Sequence, residues 1–152
     1  MDLSTTFEIL LTWAVHLSNY PAPSHPPQIQ FQPHSFFVER VCANKECRAV
    51  GWYNDEGIVY IDEIYRDTDS EFAQSLVVHE LVHYLQHMSG KYDSYSCEDS
   101  IAREREAYYI QNEYILQSQA SFKFVRPGPT ACGYQNAAVQ SEVTDHHEQV
   151  SD

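Results

Sequence analysis

Two histidines and a glutamate in His79-Glu80-Leu81-Val82-His83 have the spacing of a metal site. In a helix, residues four apart lie on one face, so His79 and His83 can turn ring nitrogens toward one ion. Two imidazoles suit tetrahedral Zn²⁺, with Co²⁺ or Mn²⁺ as substitutes. Glu80 is rotated by about 100° from His79, so it faces a water rather than the ion. The pattern predicts a zinc site with Glu80 as general base.

This chemistry requires a helix, and the flanking residues favour one. No Pro or Gly interrupts residues 74–89, and apolar residues recur at helical spacings. The polar, acidic segment 67–71 offers N-cap residues and negative charge for the helix N-terminus. Gly90 is suited to a C-terminal cap. We therefore predict a helix from Ser70 to Ser89.

A third ligand is expected from a second helix, predicted over Cys97–Leu116. One stripe of this helix carries no charged residue except Glu104; it contains Ile101, Glu104, Ala107, Tyr108, Gln111 and Ile115. A carboxylate that faces inward usually has a charged partner or a metal. Glu104 is therefore the predicted third ligand.

Glu106 is the competing choice for the third ligand. It lies roughly 200° around the helix from Glu104 and next to Arg103 and Arg105, which is typical of a solvated face. On a third interpretation, both glutamates are surface charges that pair with these arginines.

The chain resembles the gluzincin class of zinc metallopeptidases in His79-Glu80-Leu81-Val82-His83 and Glu104-Arg105-Glu106-Ala107-Tyr108. In that class a Glu-x-x-Ala-Asp-like segment supplies the third ligand. The resemblance implies that both histidines and Glu104 bind the metal and that Glu80 is the base. The chain is also similar to small bacterial domains that share His-Glu-Leu-Val-His-x-Leu-Gln, a later Cys and Ala-Tyr-x-x-Gln. It departs from larger gluzincins in having Tyr108 where they carry an Asp.

These residues predict metal-assisted hydrolysis, with a peptide bond as the expected substrate. The metal activates a water and polarises the carbonyl, while Glu80 takes the water's proton and returns it to the leaving amine. Tyr108 is the nearest candidate to stabilise the oxyanion. Weaker candidates are His87, Tyr92, Tyr95 and Tyr134. The alternatives are a zinc-binding regulatory or partner-binding domain without hydrolysis, and a structural domain with incidental histidines.

The remaining elements predict an α+β fold, minimal and gluzincin-like, with a small antiparallel sheet of about three strands on the helix of the histidines. The predicted elements are a helix over Leu3–Asn19, a strand at Gln28–Phe31, a short helix at Ser35–Val41 and a hairpin of Arg48–Asn54 with Ile58–Asp62. The gluzincin resemblance implies that the strand Gly57–Glu63 is an edge strand that pairs with an extended substrate. The alternative is an ordinary sheet that covers the helices.

Composition limits the partners. We predict one domain over residues 1–136 and an acidic, disordered tail over residues 137–152. The net charge of −13, with nine Lys plus Arg, argues against nucleic acids and anionic membranes. The first helix is too short and too polar to span a membrane.

The four cysteines indicate an oxidising compartment. Cys42 and Cys47 enclose a short loop and are predicted to form a disulfide, which leaves Cys97 and Cys132 as a second pair. Other pairings of the same four residues are also compatible with the sequence. An even count predicts a periplasmic or secreted protein.

Overall fold

The computed structural model of the chain describes residues 2–67, 69–92, 94, 96–118, 124–125, 137–139 and 143–144. These residues form helices and short strands, and the predicted α+β class is confirmed. The elements are α1 (Leu3–Ser18), β1 (Gln28–Gln32), α2 (His34–Arg40), β2 (Ala49–Tyr53), β3 (Ile58–Asp62), α3 (Glu71–Ser89), α4 (Cys97–Gln117), β4 (Phe124–Val125), β5 (Ala137–Val139) and β6 (Val143–Thr144). A 3₁₀ turn, Glu63–Tyr65, follows β3.

Helix α3 lies at the centre of the fold and begins and ends where its capping residues predict. The Ser70 side chain accepts a hydrogen bond from the Ala73 N–H. Gly90 adopts a left-handed conformation with φ 70°, and its N–H donates to the carbonyls of Gln86 and His87. All but one of the residues from Ala73 to Gln86 are buried, because α1, α4 and the sheet all pack on this helix.

The larger sheet has the strand order β1-β3-β2-β5. The predicted hairpin is present, with β2 antiparallel to β3. Strand β1, however, pairs parallel to β3, with Gln28 opposite Ile58, so the sheet is mixed rather than wholly antiparallel. The chain crosses from β1 through α2 to β2, and β3 then returns between them. Because β3 lies between two strands, the expectation that Gly57–Glu63 is a substrate-pairing edge strand is wrong.

Two of the short strands lie in the segment for which the sequence predicts a tail. Strand β5 pairs antiparallel with β2, and β6 pairs antiparallel with β4. The other residues of 137–152 lie outside the described residues. Val125 in β4 is attached to α4, because its N–H donates to Asn112 Oδ1 at 2.7 Å and its carbonyl accepts from Asn112 Nδ2 at 3.1 Å.

The sheet separates two apolar layers. The main core lies between the sheet and the helices α1, α3 and α4, and it includes Tyr53, Val59 and Ile61 from the strands. A smaller core on α2 forms around the buried Phe37 and includes the Cys42–Cys47 disulfide, which confirms that predicted pair. Cys97 is also disulfide-bonded, while its predicted partner Cys132 lies outside the described residues. No helix among the described residues is long and apolar enough to cross a membrane.

Candidate metal centre

The packing of α4 against α3 brings the three predicted ligands together. His79 and His83 lie one turn apart on α3, and both side chains are fully buried. Glu104 reaches them from α4, with its Oε1 2.8 Å from His83 Nε2 and its Oε2 3.3 Å from His79 Nε2. The Glu104 side chain is 22% exposed, whereas those of His79 and His83 are fully buried.

The chemistry of this group fits a metal ion. One ligand atom from each of the three residues lies within 4.8 Å of the other two. His79 Nε2 and His83 Nε2 are buried, and neither makes a well-aligned hydrogen bond among the described residues, although both lie close to the Glu104 carboxylate. Buried polar atoms are costly when they lack a partner, unless an ion binds them. The residues His79, His83 and Glu104 can therefore hold a metal ion.

The charges within the group are strongly coupled. Burial lowers the pKa of His79 because it disfavours the charged imidazole. Burial acts on His83 in the same direction, but the negative charge of the adjacent Glu104 outweighs it and raises the pKa of His83 to about 9. Burial would raise the pKa of Glu104, yet the neighbouring histidines lower it to about 2. Glu104 is thus a carboxylate, which is the form that binds a cation.

The other ring nitrogen of each histidine contacts a glutamine amide. His79 Nδ1 lies 3.0 Å from Gln111 Oε1, and His83 Nδ1 lies 2.9 Å from Gln86 Oε1. Both glutamines are buried. In metal sites, such a contact fixes the orientation of the ring and the nitrogen that carries the proton. Because Nδ1 of each ring contacts an amide, Nε2 of each ring faces Glu104.

Glu80 lies on α3 between the two histidines in sequence and is completely buried. Gly51 of strand β2 lies against the Glu80 side chain. A Cβ atom at Gly51 would lie 2.9 Å from Glu80 Oε1 and 3.2 Å from its Cγ, so the missing side chain makes room for the carboxylate. The sheet therefore fixes where the predicted base can lie.

Among the candidate oxyanion donors, Tyr108 packs against a predicted metal ligand, whereas His87 and Tyr92 bond to other residues. The buried Tyr108 ring packs edge-on against His79, with ring centroids 4.4 Å apart. His87 lies at the exposed end of α3, and its Nδ1 is 2.6 Å from the Tyr53 hydroxyl. The Tyr92 hydroxyl donates to Glu106. The candidates Tyr95 and Tyr134 lie outside the described residues.

Glu106 lies apart from the ligand group, and the prediction that its side chain is solvated is wrong. Its side chain is only 20% exposed and accepts hydrogen bonds from several groups. The donors are the Tyr20 hydroxyl, Gln86 Nε2 at 3.1 Å, Lys91 Nζ at 2.8 Å and the Tyr92 hydroxyl at 3.3 Å. Burial raises the pKa of Glu106, but the bonds from Lys91, Tyr20 and Gln86 outweigh it and lower the pKa below its usual value.

Arg103 is also buried rather than solvated. Its Nη1 donates to the carbonyls of Tyr92 and Ser94, and its Nη2 donates to Ser100 Oγ. The guanidinium therefore attaches α4 to the connection that follows α3. Arg103 is therefore buried, although Arg105 of the same charged stretch is exposed.

Sequence reasoning missed the roles of Gln86, Gln111 and Gly51. The two glutamines could have been found by spacing. Gln86 follows His83 by three positions and so shares its face of α3, and Gln111 lies on the Glu104 stripe of α4. Gly51 has no such signal, because its proximity to Glu80 depends on how the sheet packs on α3.

Comparison with known proteins does not extend this description. The chain matches no protein-family model, no curated protein and no solved structure. The function must therefore be inferred from the residues and geometry of the site.

Proposed function

We propose that the protein is a zinc-dependent hydrolase, and specifically a small metallopeptidase of gluzincin type. The convergence of His79 Nε2, His83 Nε2 and the Glu104 carboxylate within 4.8 Å is the observation that supports this proposal most directly. Two imidazoles and one carboxylate are a ligand set that Zn²⁺ prefers, and catalytic zinc sites commonly have three protein ligands.

The residues around the group divide the chemistry between them. A zinc ion bound here would supply Lewis acidity, which activates water and polarises a carbonyl. Glu80 accepts the proton of the attacking water and returns it to the leaving amine. The Glu80 carboxylate is buried and lies against Gly51 of the sheet. Tyr108, packed on His79, is the proposed donor to the developing oxyanion.

The proposed substrate is a peptide bond in a protein or peptide, in keeping with the gluzincin resemblance. The proposed compartment is the periplasm or the extracellular space. The Cys42–Cys47 disulfide supports this assignment, because disulfides persist mainly in oxidising compartments.

Metal content and turnover together test the proposal. Wild type, Glu80→Gln, Glu104→Ala and the control Glu98→Ala, an exposed glutamate of the same helix, are purified without added metal or a histidine tag. Zinc is measured by mass spectrometry, and hydrolysis is followed with an unfolded protein substrate. We expect stoichiometric zinc in wild type, Glu80→Gln and Glu98→Ala, and turnover in wild type and Glu98→Ala.

The outcomes separate two functions. The loss of turnover in Glu80→Gln with zinc retained is the expected result for a metallopeptidase. Stoichiometric zinc without cleavage by wild type would instead support a zinc-binding regulatory or partner-binding domain, which the complete burial of His79 and Glu80 favours as the second candidate. A wild-type protein that binds no zinc, even when zinc is supplied, would exclude both functions.

A further inference from the structure

Gln86 has a side chain whose orientation is determined by its neighbours. Its Nε2 lies 3.0 Å from the Arg103 carbonyl and 3.1 Å from Glu106 Oε1. A carbonyl and a carboxylate can only accept hydrogen bonds, so both require the NH₂ group of Gln86. The amide oxygen must then point the other way, toward His83 Nδ1.

This orientation determines which nitrogen of His83 can bind a metal. An amide oxygen can only accept, so His83 Nδ1 must carry a proton in order to bond to it. A neutral imidazole with its proton on Nδ1 has its lone pair on Nε2, the nitrogen that faces Glu104. If the amide turned over, it would present NH₂ to Nδ1 and favour the opposite tautomer, which cannot bind a metal through Nε2.

The same arrangement occurs at the other histidine. Ser75 Oγ donates its proton to the Phe72 carbonyl at 2.8 Å, so it can only accept from Gln111 Nε2 at 3.1 Å. Gln111 Oε1 is thereby directed at His79 Nδ1. At each ligand histidine, Nδ1 thus contacts the oxygen of a glutamine amide. The NH₂ group of that amide in turn donates to a group that can only accept.

We propose that Glu106 is a positioning residue of the metal centre, which holds the Gln86 amide so that His83 keeps its proton on Nδ1 and its lone pair on Nε2. This inference rests on the metal site of the proposed function but not on peptide hydrolysis. Glu106 suits this role because Tyr20, Lys91 and Tyr92 also donate to it, and these residues belong to connections rather than to the helices of the metal ligands. The carboxylate is held from several sides and cannot easily turn away from Gln86.

The test compares zinc affinities by competition with a chromophoric chelator. Glu106→Gln replaces the obligate acceptor with an amide of the same shape that can present either NH₂ or C=O to Gln86. Loss of a residue that orients a metal ligand typically costs 10- to 100-fold in affinity, and we expect a loss of about tenfold here because Arg103 still holds Gln86. Glu113→Gln removes the same charge from the same helix, where the side chain accepts an exposed bond from Gln117, and it is the matched control.

A further variant separates positioning from a merely structural role. Lys91→Met removes the ion pair to Glu106 but leaves the bonds that the carboxylate accepts from Tyr20, Tyr92 and Gln86, so we expect zinc affinity within about twofold of wild type.

Nitrogen-15 spectra of the zinc-loaded wild type provide a direct readout, with an Nδ1–H signal from His83 as the expected result. The inference is overturned if that signal is absent, if Glu106→Gln binds zinc as tightly as Glu113→Gln, or if Lys91→Met weakens binding as much as Glu106→Gln. Each of these results leaves zinc binding itself in place. A wild type that binds no zinc overturns the proposed function as well.

Discussion

The contact between Gly51 and Glu80 leads to a quantitative prediction about the proposed hydrolysis. In Gly51→Ala, the new Cβ would lie 2.9 Å from Glu80 Oε1, whereas ordinary contact begins at 3.4 Å. The carboxylate must therefore move by the difference, 3.4 − 2.9 = 0.5 Å. A misplacement of about 1 Å can cost about 100-fold in rate, so we expect kcat/KM to fall by about tenfold. His79, His83 and Glu104 are not displaced, and zinc content should be unchanged.

The effect of Gly51→Ala on stability should be modest. The glycine does not have a positive φ, so alanine fits its backbone and gains about 0.4–1 kcal/mol by restricting the unfolded chain. Crowding in a packed interior typically costs about 1–3 kcal/mol. The end of the Glu80 side chain can move aside, so we expect a net destabilisation of no more than about 2 kcal/mol.

Gly57→Ala is the matched control. Nothing lies within 4 Å of a Cβ at Gly57, but its φ of +82° is unfavourable for alanine. This variant should lose about 1–2 kcal/mol of stability while keeping full activity. The assay is hydrolysis of an unfolded protein by zinc-loaded variants, combined with thermal melts. Wild-type kcat/KM in Gly51→Ala, or an equal loss of activity in Gly57→Ala, would refute the idea that the sheet positions Glu80 through this contact.

Two other predictions concern buried polar contacts. Gln111→Leu should lower zinc affinity by about 10- to 100-fold, because His79 Nδ1 loses its acceptor, whereas Gln111→Glu keeps an acceptor and should lose less; chelator competition measures both. His34 forms hydrogen bonds with the Asp62 carboxylate, the Glu46 carboxylate and the Cys47 carbonyl. Burial lowers the pKa of His34, but these bonds outweigh burial and raise the pKa above its usual value. Its contribution to stability is therefore present below pH ~6.5 and lost as pH rises through the raised pKa. The difference in melting temperature between wild type and His34→Gln should shrink from pH 5.5 to pH 8.5. Because His34 is partly exposed, its contribution to the free energy of unfolding should be less than about 1 kcal/mol. A difference in melting temperature that does not change with pH would contradict this prediction.

Local patterns in the sequence were sufficient to predict the helices and the ligand group. The caps Ser70 and Gly90 gave both ends of α3, and the turn at Gly57 predicted the β2–β3 hairpin. Glu104 was predicted because a charge in an apolar stripe needs a partner, and in the structure it faces both histidines. These predictions depend on residues within one or two helical turns, where spacing determines which side chains share a face.

Features that depend on contacts between distant segments could not be predicted in this way. The parallel pairing of β1 with β3 joins residues on either side of α2 and β2. Glu106 and Arg103 have the charge pattern of a solvated face, yet the connections around Tyr20 and Tyr92 cover them. Helical periodicity indicates which residues share a face but not how many faces of a helix will be covered.

The mixed sheet also has a consequence for the order in which the protein folds. The β2–β3 hairpin closes through the short turn at Asn54, whose Oδ1 accepts from the N–H groups of Glu56 and Ile58, so it can form on the microsecond scale. Strand β1 pairs with β3, so it can join the sheet only after β3 is in place. The pairing closes the long loop that runs through α2 and β2, and the Cys42–Cys47 bridge shortens part of that loop. We therefore expect β1 to join the sheet after the hairpin, and its amide protons to exchange with solvent before those of β2 and β3.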